Sequence, residues 1–346
     1  MGLEQRTLTV PALVVMIIAA SAPLTAVAGG VTTNYAVTGM ESVPLSFLII
    51  GAILLVFSIG YTAMSRYIPN AGAFYAYIAQ GLGGAAGVGA AMVALVSYNL
   101  MQIGIYGMFG FAAASFANAS FGTAIPWWVM ALVAWAVVGF LGMNRVDFSV
   151  KVLGIVVAAE FLVVIIYNIM AFAFAPEVPQ PAASFNVADA VAPGMGAVMA
   201  FTIAAFMGFE SGTIYNEEVK DPARTARRAT MIAVVIIACF YAFSAFAIAV
   251  GEGASNVIGA SAELGPDLIF AFFGANAPAW FVDLANILFI TSLFAALLAF
   301  HNVIARYFYA MGRGGALPKF LAATSRTTHA PVAGSPWKGQ SSAMSS

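Results

Sequence analysis

Eight long apolar segments set the strongest limit on what this chain can fold into. About 20 mostly apolar residues cross a bilayer as a helix, because only a helix or a closed barrel keeps its backbone hydrogen bonds internal in lipid. The predicted spans, numbered one to eight, are residues 10–37, 44–65, 84–114, 125–142, 148–174, 193–216, 228–250 and 278–310. The sequence therefore predicts an all-α integral membrane protein.

The composition supports lipid as the main solvent and argues against other classes of function. Only 8% of the 346 residues are charged, whereas a soluble domain carries about 25%. A net charge of -1 argues against nucleic acid as a partner. The sequence contains no HExxH, GxSxG or P-loop motif and no Cys/His metal spacing. We therefore expect neither an enzyme with catalytic residues nor a cofactor or metal site.

The basic residues predict the orientation of the chain in the cell (plasma) membrane. With eight spans, all thirteen Lys and Arg fall on one side, and such residues favour the cytoplasmic side. Both termini are therefore predicted to be cytoplasmic. The charged residues on the opposite, outer side are all acidic: Glu41, Glu177, Asp189, Glu252, Glu263, Asp267 and Asp283. The outer loop 251–277 is predicted to hold one short amphipathic helix within 265–274.

Two of the spans are interrupted. In span one, Pro23 lacks a backbone N–H and clashes with the preceding turn, which predicts a freed carbonyl near Ala19. Span six contains Gly208 and Gly212 around an acid. Two broken spans five apart are typical of inverted-repeat transporters that bind substrate between the breaks. Free N–H groups there suit a carboxylate and unwound carbonyls suit an ammonium group, which favours a zwitterion. The alternative is that Pro and Gly are simply common in membrane helices.

Two acids are predicted to lie inside the bilayer. Glu160 is nine residues beyond Lys151, or about 13 Å along a helix at 1.5 Å per residue. Glu210 lies in the break of span six. A carboxyl group removed from water can load and release a proton, so the two acids could form a proton-carrying or gating pair. Alternatively, each hydrogen-bonds a neighbouring helix and stabilises the fold.

Three stretches carry a family resemblance. The first, after span two, is Pro69-Asn-Ala-Gly-Ala-Phe-Tyr-Ala-Tyr77. The second combines Gly208-Phe-Glu210 with Glu217-Glu-Val-Lys-Asp-Pro-Ala-Arg224. The third combines Ser292-Leu-Phe-Ala-Ala-Leu-Leu-Ala299 with Arg306-Tyr-Phe-Tyr-Ala-Met-Gly-Arg-Gly-Gly-Ala-Leu-Pro-Lys319. Together they resemble motifs of the amino acid–polyamine–organocation (APC) superfamily of permeases.

The resemblance implies a LeuT-like inverted-repeat transporter fold, usually of twelve spans, that imports or exchanges amino acids. Transport would be driven by a proton or sodium gradient. On this interpretation residues 1–326 form the permease domain, with about eight of the twelve helices, and residues 327–346 form a polar, disordered tail. We expect either a working permease or a shortened, transport-inactive interaction or sensor protein. A partner supplying the missing helices is a further possibility.

The breaks, the polar residues of the spans and the resemblance together suggest the site residues. The substrate-binding residues would be Ser21, Ala22, Pro23, Thr25, Tyr98, Phe206, Gly208, Phe209, Glu210 and Ser211. The residues for ion coupling would be Glu160, Glu210, Thr291 and Ser292.

Two of these positions depart from the family pattern. Ser-Ala-Pro stands at 21–23 where relatives have a glycine-rich triplet, so the contacts to a substrate carboxylate could differ. Glu160 stands where many relatives carry a lysine that supports the break in span one. An acid there leaves two possibilities open. It could take up a proton, or it could coordinate sodium together with Ser292.

Overall fold

The fold is helical throughout the part of the chain that the structure describes. The structure is a computed structural model, and it describes residues 9–64, 67, 73–143, 150–210, 222–313 and 315–322. Every regular element in these ranges is a helix. Seven helices are long and apolar enough to cross a membrane, or eight if one bent pair counts as a single span. The predicted all-α membrane fold is confirmed.

The observed helices follow the predicted spans closely. The helices at the eight predicted positions are Val10–Thr38, Val43–Met64, Gly84–Phe121, Trp127–Met143, Val150–Ala173, Met195–Ala204, Pro222–Glu252 and Ala279–Arg313. Trp127–Met143 is shorter than the seven membrane-length helices, and Met195–Ala204 reaches that length only together with the bent segment Pro181–Val191. The shorter helices are Ala73–Leu82, Pro181–Ser184, Val257–Leu264 and Leu268–Asn276, with 3-10 turns at Val187–Val191, Gly265–Asp267 and Lys319–Ala322. Span three runs beyond its predicted end at residue 114, because the left-handed Gly122, with φ 62°, is the first residue that ends it.

The segment between spans seven and eight is more helical than predicted. Helical turns are continuous from 257 to 276, and by length and composition the segment qualifies as a membrane span. The predicted helix within 265–274 is present as Leu268–Asn276. Five of its apolar residues are buried, so it packs into the protein: Leu268, Ile269, Phe270, Phe272 and Phe273.

The described residues fall into two compact units. The first comprises residues 1–63 and 150–292. In it, spans five and seven and the first helix of span one, Val10–Ser21, pack against one another. The outer part of span one, Thr32–Thr38, packs against Val257–Leu264. The side-chain amide of Asn34 donates to the carbonyl of Val198 at 3.2 Å and to the hydroxyl of Thr202 at 3.1 Å, which ties span one to span six.

The second unit comprises the described residues within 64–149 and 293–346. Span three packs there against span four and against the helix Ala73–Leu82. Gly87 permits close approach, since a Cβ atom at this position would lie 2.5 Å from the Cβ of Ala79. The side-chain amide of Gln102 donates to the carbonyl of Leu297 at 3.3 Å and so joins span three to span eight.

The surface of both units is rich in large apolar side chains. Val56 in the first unit is 72% exposed and Ile103 in the second is 65% exposed. Soluble monomers rarely expose contiguous apolar patches larger than a few hundred Å². These faces are therefore suited to contact with lipid tails.

We predict that Gly51→Ala destabilises the first unit. An alanine methyl group at Gly51 would overlap the Cβ of Ala238 in span seven, and overpacking costs about 1–3 kcal/mol. Gly60→Ala is the matched control on the same helix, because it meets no atom within 4 Å and gains about 1 kcal/mol of helix propensity. Thermal unfolding of the purified variants in detergent would measure both. If the Gly51→Ala and Gly60→Ala proteins melted at the same temperature, the described contact between Gly51 and Ala238 would be contradicted.

Candidate functional site

Span one is broken at Ala22. The helix Val10–Ser21 ends there, and Ala22 adopts the left-handed conformation with φ 45° and ψ 79°. It is the one non-glycine residue with positive φ in the part of the chain that the structure describes. This conformation costs an L-residue roughly 1–2 kcal/mol, and such strain is concentrated at functional sites. A π-helix, Ala26–Val31, follows within the same span.

One prediction about this break is wrong in detail. The carbonyl of Ala19 is not free, because the N–H of Ala22 donates to it at 3.1 Å. In a regular helix the residue at position 23 would donate to the carbonyl of Ala19, but Pro23 has no N–H. The N–H of Ala22, one residue earlier, donates to that carbonyl instead. The break is thus present where predicted, with a different hydrogen-bond arrangement.

Span six is broken after Ala204. Its helix gives way to turns over 205–210, and Gly208 has φ 101°, a conformation that glycine adopts readily. A Cβ atom at Gly208 would lie 2.7 Å from the Cβ of Ala20 in span one. Gly208 in the break of span six therefore packs against the end of the helix that precedes the break in span one. Ser211 and Gly212 lie outside the described residues.

Glu160 connects span five to the break in span one. Its side chain is 3% exposed, and its Oε2 accepts a hydrogen bond from the backbone N–H of Leu24 at 3.3 Å. The Ser292 hydroxyl also hydrogen-bonds to this carboxyl group. Thr25 and Ser292 lie with their hydroxyl oxygens 3.1 Å apart. Four residues from spans one, five and eight thus form one buried polar group, which we call the Glu160 cluster: Leu24, Thr25, Glu160 and Ser292.

Glu210 turns inward at the break in span six. It is 4% exposed, and its Oε2 accepts a hydrogen bond from the N–H of Gly208 at 3.1 Å. Its backbone carbonyl accepts from the hydroxyl of Tyr61 in span two at 3.5 Å. The carboxyl group therefore folds back over the break and is shielded from the surface.

Two tyrosines at the site were missed by the sequence analysis. Tyr241 of span seven lies with its hydroxyl 2.9 Å from the hydroxyl of Ser21 at the break in span one. Tyr61 reaches the break in span six, as described above. The available signal was a tyrosine in an apolar span, since a buried phenol usually finds a hydrogen-bond partner.

The aromatic residues predicted to bind substrate pack against span two. Phe206 is 1% exposed, and its ring lies 6.2 Å from that of Phe47. Phe209 is buried with its ring 6.2 Å from Phe57 and 6.3 Å from Tyr61. These contacts account for their burial, and a role in closing over a ligand stays a prediction.

Two other predicted residues have different contacts. Thr291 is exposed, and its hydroxyl donates to the carbonyl of Leu288 on its own helix at 2.9 Å. Tyr98 belongs to the second unit, where its ring lies 5.7 Å from those of Phe300 and Tyr307. Within the described ranges, no three His, Cys, Asp or Glu side chains form a metal-binding group.

Comparison with known proteins indicates a membrane transporter family. The family model described as amino acid permease matches residues 13–335. Proteins named uncharacterized transporters in Mycobacterium bovis and Mycobacterium tuberculosis are each 28% identical over 195 residues. The alignments cover 56% of this chain and 42% of each relative. The chain thus spans less than half the length of the curated relatives it matches.

We predict that Gly208→Ala disrupts the contact between the two breaks. The positive φ costs an L-residue roughly 1–2 kcal/mol, and the added methyl group would crowd Ala20 at 2.7 Å. Gly196→Ala, on the helix of the same span, meets no atom within 4 Å and is the matched control. Melting temperature and protease resistance in detergent would report the difference. A Gly208→Ala protein as stable as the control would contradict the described geometry.

Proposed function

The chain belongs to the amino acid permease family, and on this premise we propose that it is a secondary active transporter of amino acids. Substrate would bind at the breaks of spans one and six and cross by alternating access, as symport or exchange. The driving force would be a proton or sodium gradient, with no cofactor. The permease domain would occupy residues 1–326, followed by a polar tail over 327–346.

The contact between the two breaks is the observation that carries this proposal. Gly208 lies against Ala20, two residues before the strained Ala22. Irregular backbone inside a membrane is tolerated only where it is buried in protein or lines a cavity. In transporters with inverted repeats, substrate and coupling ions bind where two such broken spans meet. The same place here holds two buried carboxyl groups.

The Glu160 cluster offers a route for ion coupling. The carboxyl group of Glu160 bonds directly to the N–H of Leu24, so a change in its charge alters a hydrogen bond at the break in span one. Protonation would weaken that bond, because charge-assisted hydrogen bonds are the stronger ones. Alternatively, the oxygens of Glu160, Thr25 and Ser292 are the hard ligands that a sodium ion prefers. Either ion would link its own binding to the geometry of the break.

The charge pattern supports a multi-pass protein of the plasma membrane with both termini in the cytoplasm. If the helical segment 257–276 were an additional span, Arg306 and Arg313 would lie on the side opposite to Arg224 and Arg227. The excess of basic residues on one side therefore favours 257–276 as part of the outer face.

Reconstituted liposomes test the proposed transport directly. We expect saturable uptake of a radiolabelled amino acid that is stimulated by an inward proton gradient or an inward sodium gradient, each imposed separately. Glu210→Ala is expected to abolish this uptake, because it removes the carboxyl group that bonds to Gly208 in the break. Uptake of none of the twenty amino acids, together with retained binding to a protein partner, would instead favour an interaction or sensor role.

We predict that Glu160→Gln uncouples transport from its gradient. The glutamine side chain can still accept the hydrogen bond of Leu24 but carries no exchangeable charge. We expect gradient-driven accumulation to fall at least tenfold, while exchange between equal concentrations of amino acid on both sides persists. Glu263→Gln, on the outer helix Val257–Leu264, is the control with an exposed carboxyl group. Undiminished accumulation by Glu160→Gln would remove Glu160 from the coupling mechanism.

Cysteine labelling tests the proposed orientation. Cys239 is the single native cysteine, so it is first replaced by serine. Glu263→Cys should then react with a membrane-impermeant maleimide added to intact cells, and Phe320→Cys should react only after the cells are opened. The reverse pattern would invert the topology.

A further inference from the structure

Four buried polar side chains lie along the interface between spans five and seven, and we call them the polar line: Tyr167, Asn168, Tyr241 and Ser244. The side-chain amide of Asn168 donates to the hydroxyl of Ser244 at 3.0 Å and joins the two spans. Tyr241, one helical turn before Ser244, reaches the break in span one through Ser21. Polar groups inside a membrane are costly, and they often mark the path of an ion or a proton.

Two atoms of the polar line have no hydrogen-bond partner among the described residues. They are the hydroxyl of Tyr167 and the side-chain oxygen Oδ1 of Asn168, on neighbouring positions of span five. Buried polar atoms of this kind are normally satisfied by ordered water. A Cβ atom at Gly251 would lie 3.3 Å from the Tyr167 hydroxyl. This hydroxyl therefore lies beside the end of span seven, where the half-buried Glu252 follows.

The polar line connects that end of span seven with Glu160. Tyr167 interacts electrostatically with Glu252, and Tyr241 interacts in the same way with Glu160. Between them, Ser244 is about 4.5 Å beyond Tyr241 along the helix, at 1.5 Å per residue. In the proposed orientation, Glu252 is at the outer face. The steps that exceed a direct hydrogen bond are short enough for bridging water molecules.

We propose that spans five and seven carry a water-bridged proton route from the outer face to Glu160. A proton from outer water would enter at Glu252 and pass the hydroxyl groups of Tyr167 and Ser244. It would then pass Tyr241 and end on the carboxylate of Glu160. Hydroxyl groups and water both donate and accept, so each gains one proton on one side and releases one on the other. This inference rests on the proposed transport function and assigns its driving force to protons.

Few other titratable groups face this route. Tyr35 of span one interacts electrostatically with Tyr167, but its hydroxyl donates to a backbone carbonyl of span seven at 3.1 Å. Glu41 in turn acts on Tyr35. The helices Val10–Ser21 and Leu268–Asn276 also pack against span five, and neither contains a titratable residue. The hydroxyl of Tyr167 is thus the group through which Glu252 can communicate with the polar line.

Proton-driven uptake by the full chain in liposomes tests the route. The probe is whichever of the twenty radiolabelled amino acids the unaltered protein accumulates most, with sodium absent and a pH-sensitive dye inside. Tyr167→Phe keeps the ring that packs against Phe272 and Phe273 at 5.2 and 5.7 Å and removes only the hydroxyl. We expect accumulation and the dye signal to fall at least about tenfold, because a positioned proton-transfer group typically contributes about 10²–10⁴-fold. Exchange at equal pH on both sides should persist, since it needs no net proton movement.

Two further variants and a matched control accompany this experiment. Asn168→Leu and Ser244→Ala each remove a polar group from the line and should cause the same loss with exchange retained. Tyr106→Phe removes a half-buried tyrosine hydroxyl from span three in the second unit. It should leave accumulation, the dye signal and exchange unchanged.

The remaining outcomes would overturn the route. Full proton-driven accumulation by Tyr167→Phe would remove the hydroxyl from it, and equal losses of accumulation and exchange in all three variants would indicate general damage to the fold. If sodium alone drives uptake by the unaltered protein, the proton route is wrong and amino acid transport still stands. If none of the twenty amino acids is taken up or exchanged, the transport proposal fails and the route fails with it.

Discussion

Inside a bilayer, every backbone N–H and C=O must find its partner within the protein, and this requirement governs the whole arrangement described here. Most of the chain meets it with unbroken helices. Where spans one and six are interrupted, side chains and tightened turns supply the missing partners. Glu160 serves Leu24, Glu210 serves Gly208, and the carbonyl of Ala19 accepts from a residue only three positions away.

These substitute hydrogen bonds require the spans to approach one another closely. Small residues make that approach possible in a membrane, where apolar side chains gain little from leaving lipid. Gly208 rests against Ala20, and Gly51 of span two rests against Ala238 of span seven. The polar contacts at the breaks and the close contacts between glycine and alanine are therefore parts of one arrangement. The spans that carry the breaks are held by the spans that pack beside them.

The use of carboxyl groups as internal partners has a chemical consequence. A serine or an asparagine could also accept a hydrogen bond from a freed N–H, at much lower cost in lipid. A carboxyl group adds the ability to change charge, and under the proposed function this would make the hydrogen bond at the break sensitive to protons or to metal cations. The left-handed Ala22 adds a strained hinge directly beside this bond. Under the proposed function, these features would connect the charge state of a buried acid to the shape of a broken helix.

The sequence by itself determined the solvent, the spans and the position of both breaks. Apolar length is a local property, and Pro23 and Gly208 act on the backbone at their own positions, so both could be predicted without knowledge of neighbours. The family motifs added the residues around each break. Tyr241 and Tyr61 escaped prediction because their roles depend on which helices lie opposite, more than 140 residues away along the chain.

Only the tertiary structure decided the partner of a polar group where that partner lies far away along the chain. Leu24 and Glu160 are separated by 136 positions, and nothing local shows that the carboxyl group caps that particular N–H. The sequence likewise favoured free N–H groups at the breaks, whereas Ala22 and Gly208 donate to acceptors only two or three positions away and Leu24 donates to an acceptor on span five. The turns over 257–267 follow the same rule, because their packing against span one depends on residues more than 200 positions away. Local chemistry fixes where a helix breaks and satisfies Ala22 and Gly208, whereas long-range packing supplies the partner of Leu24.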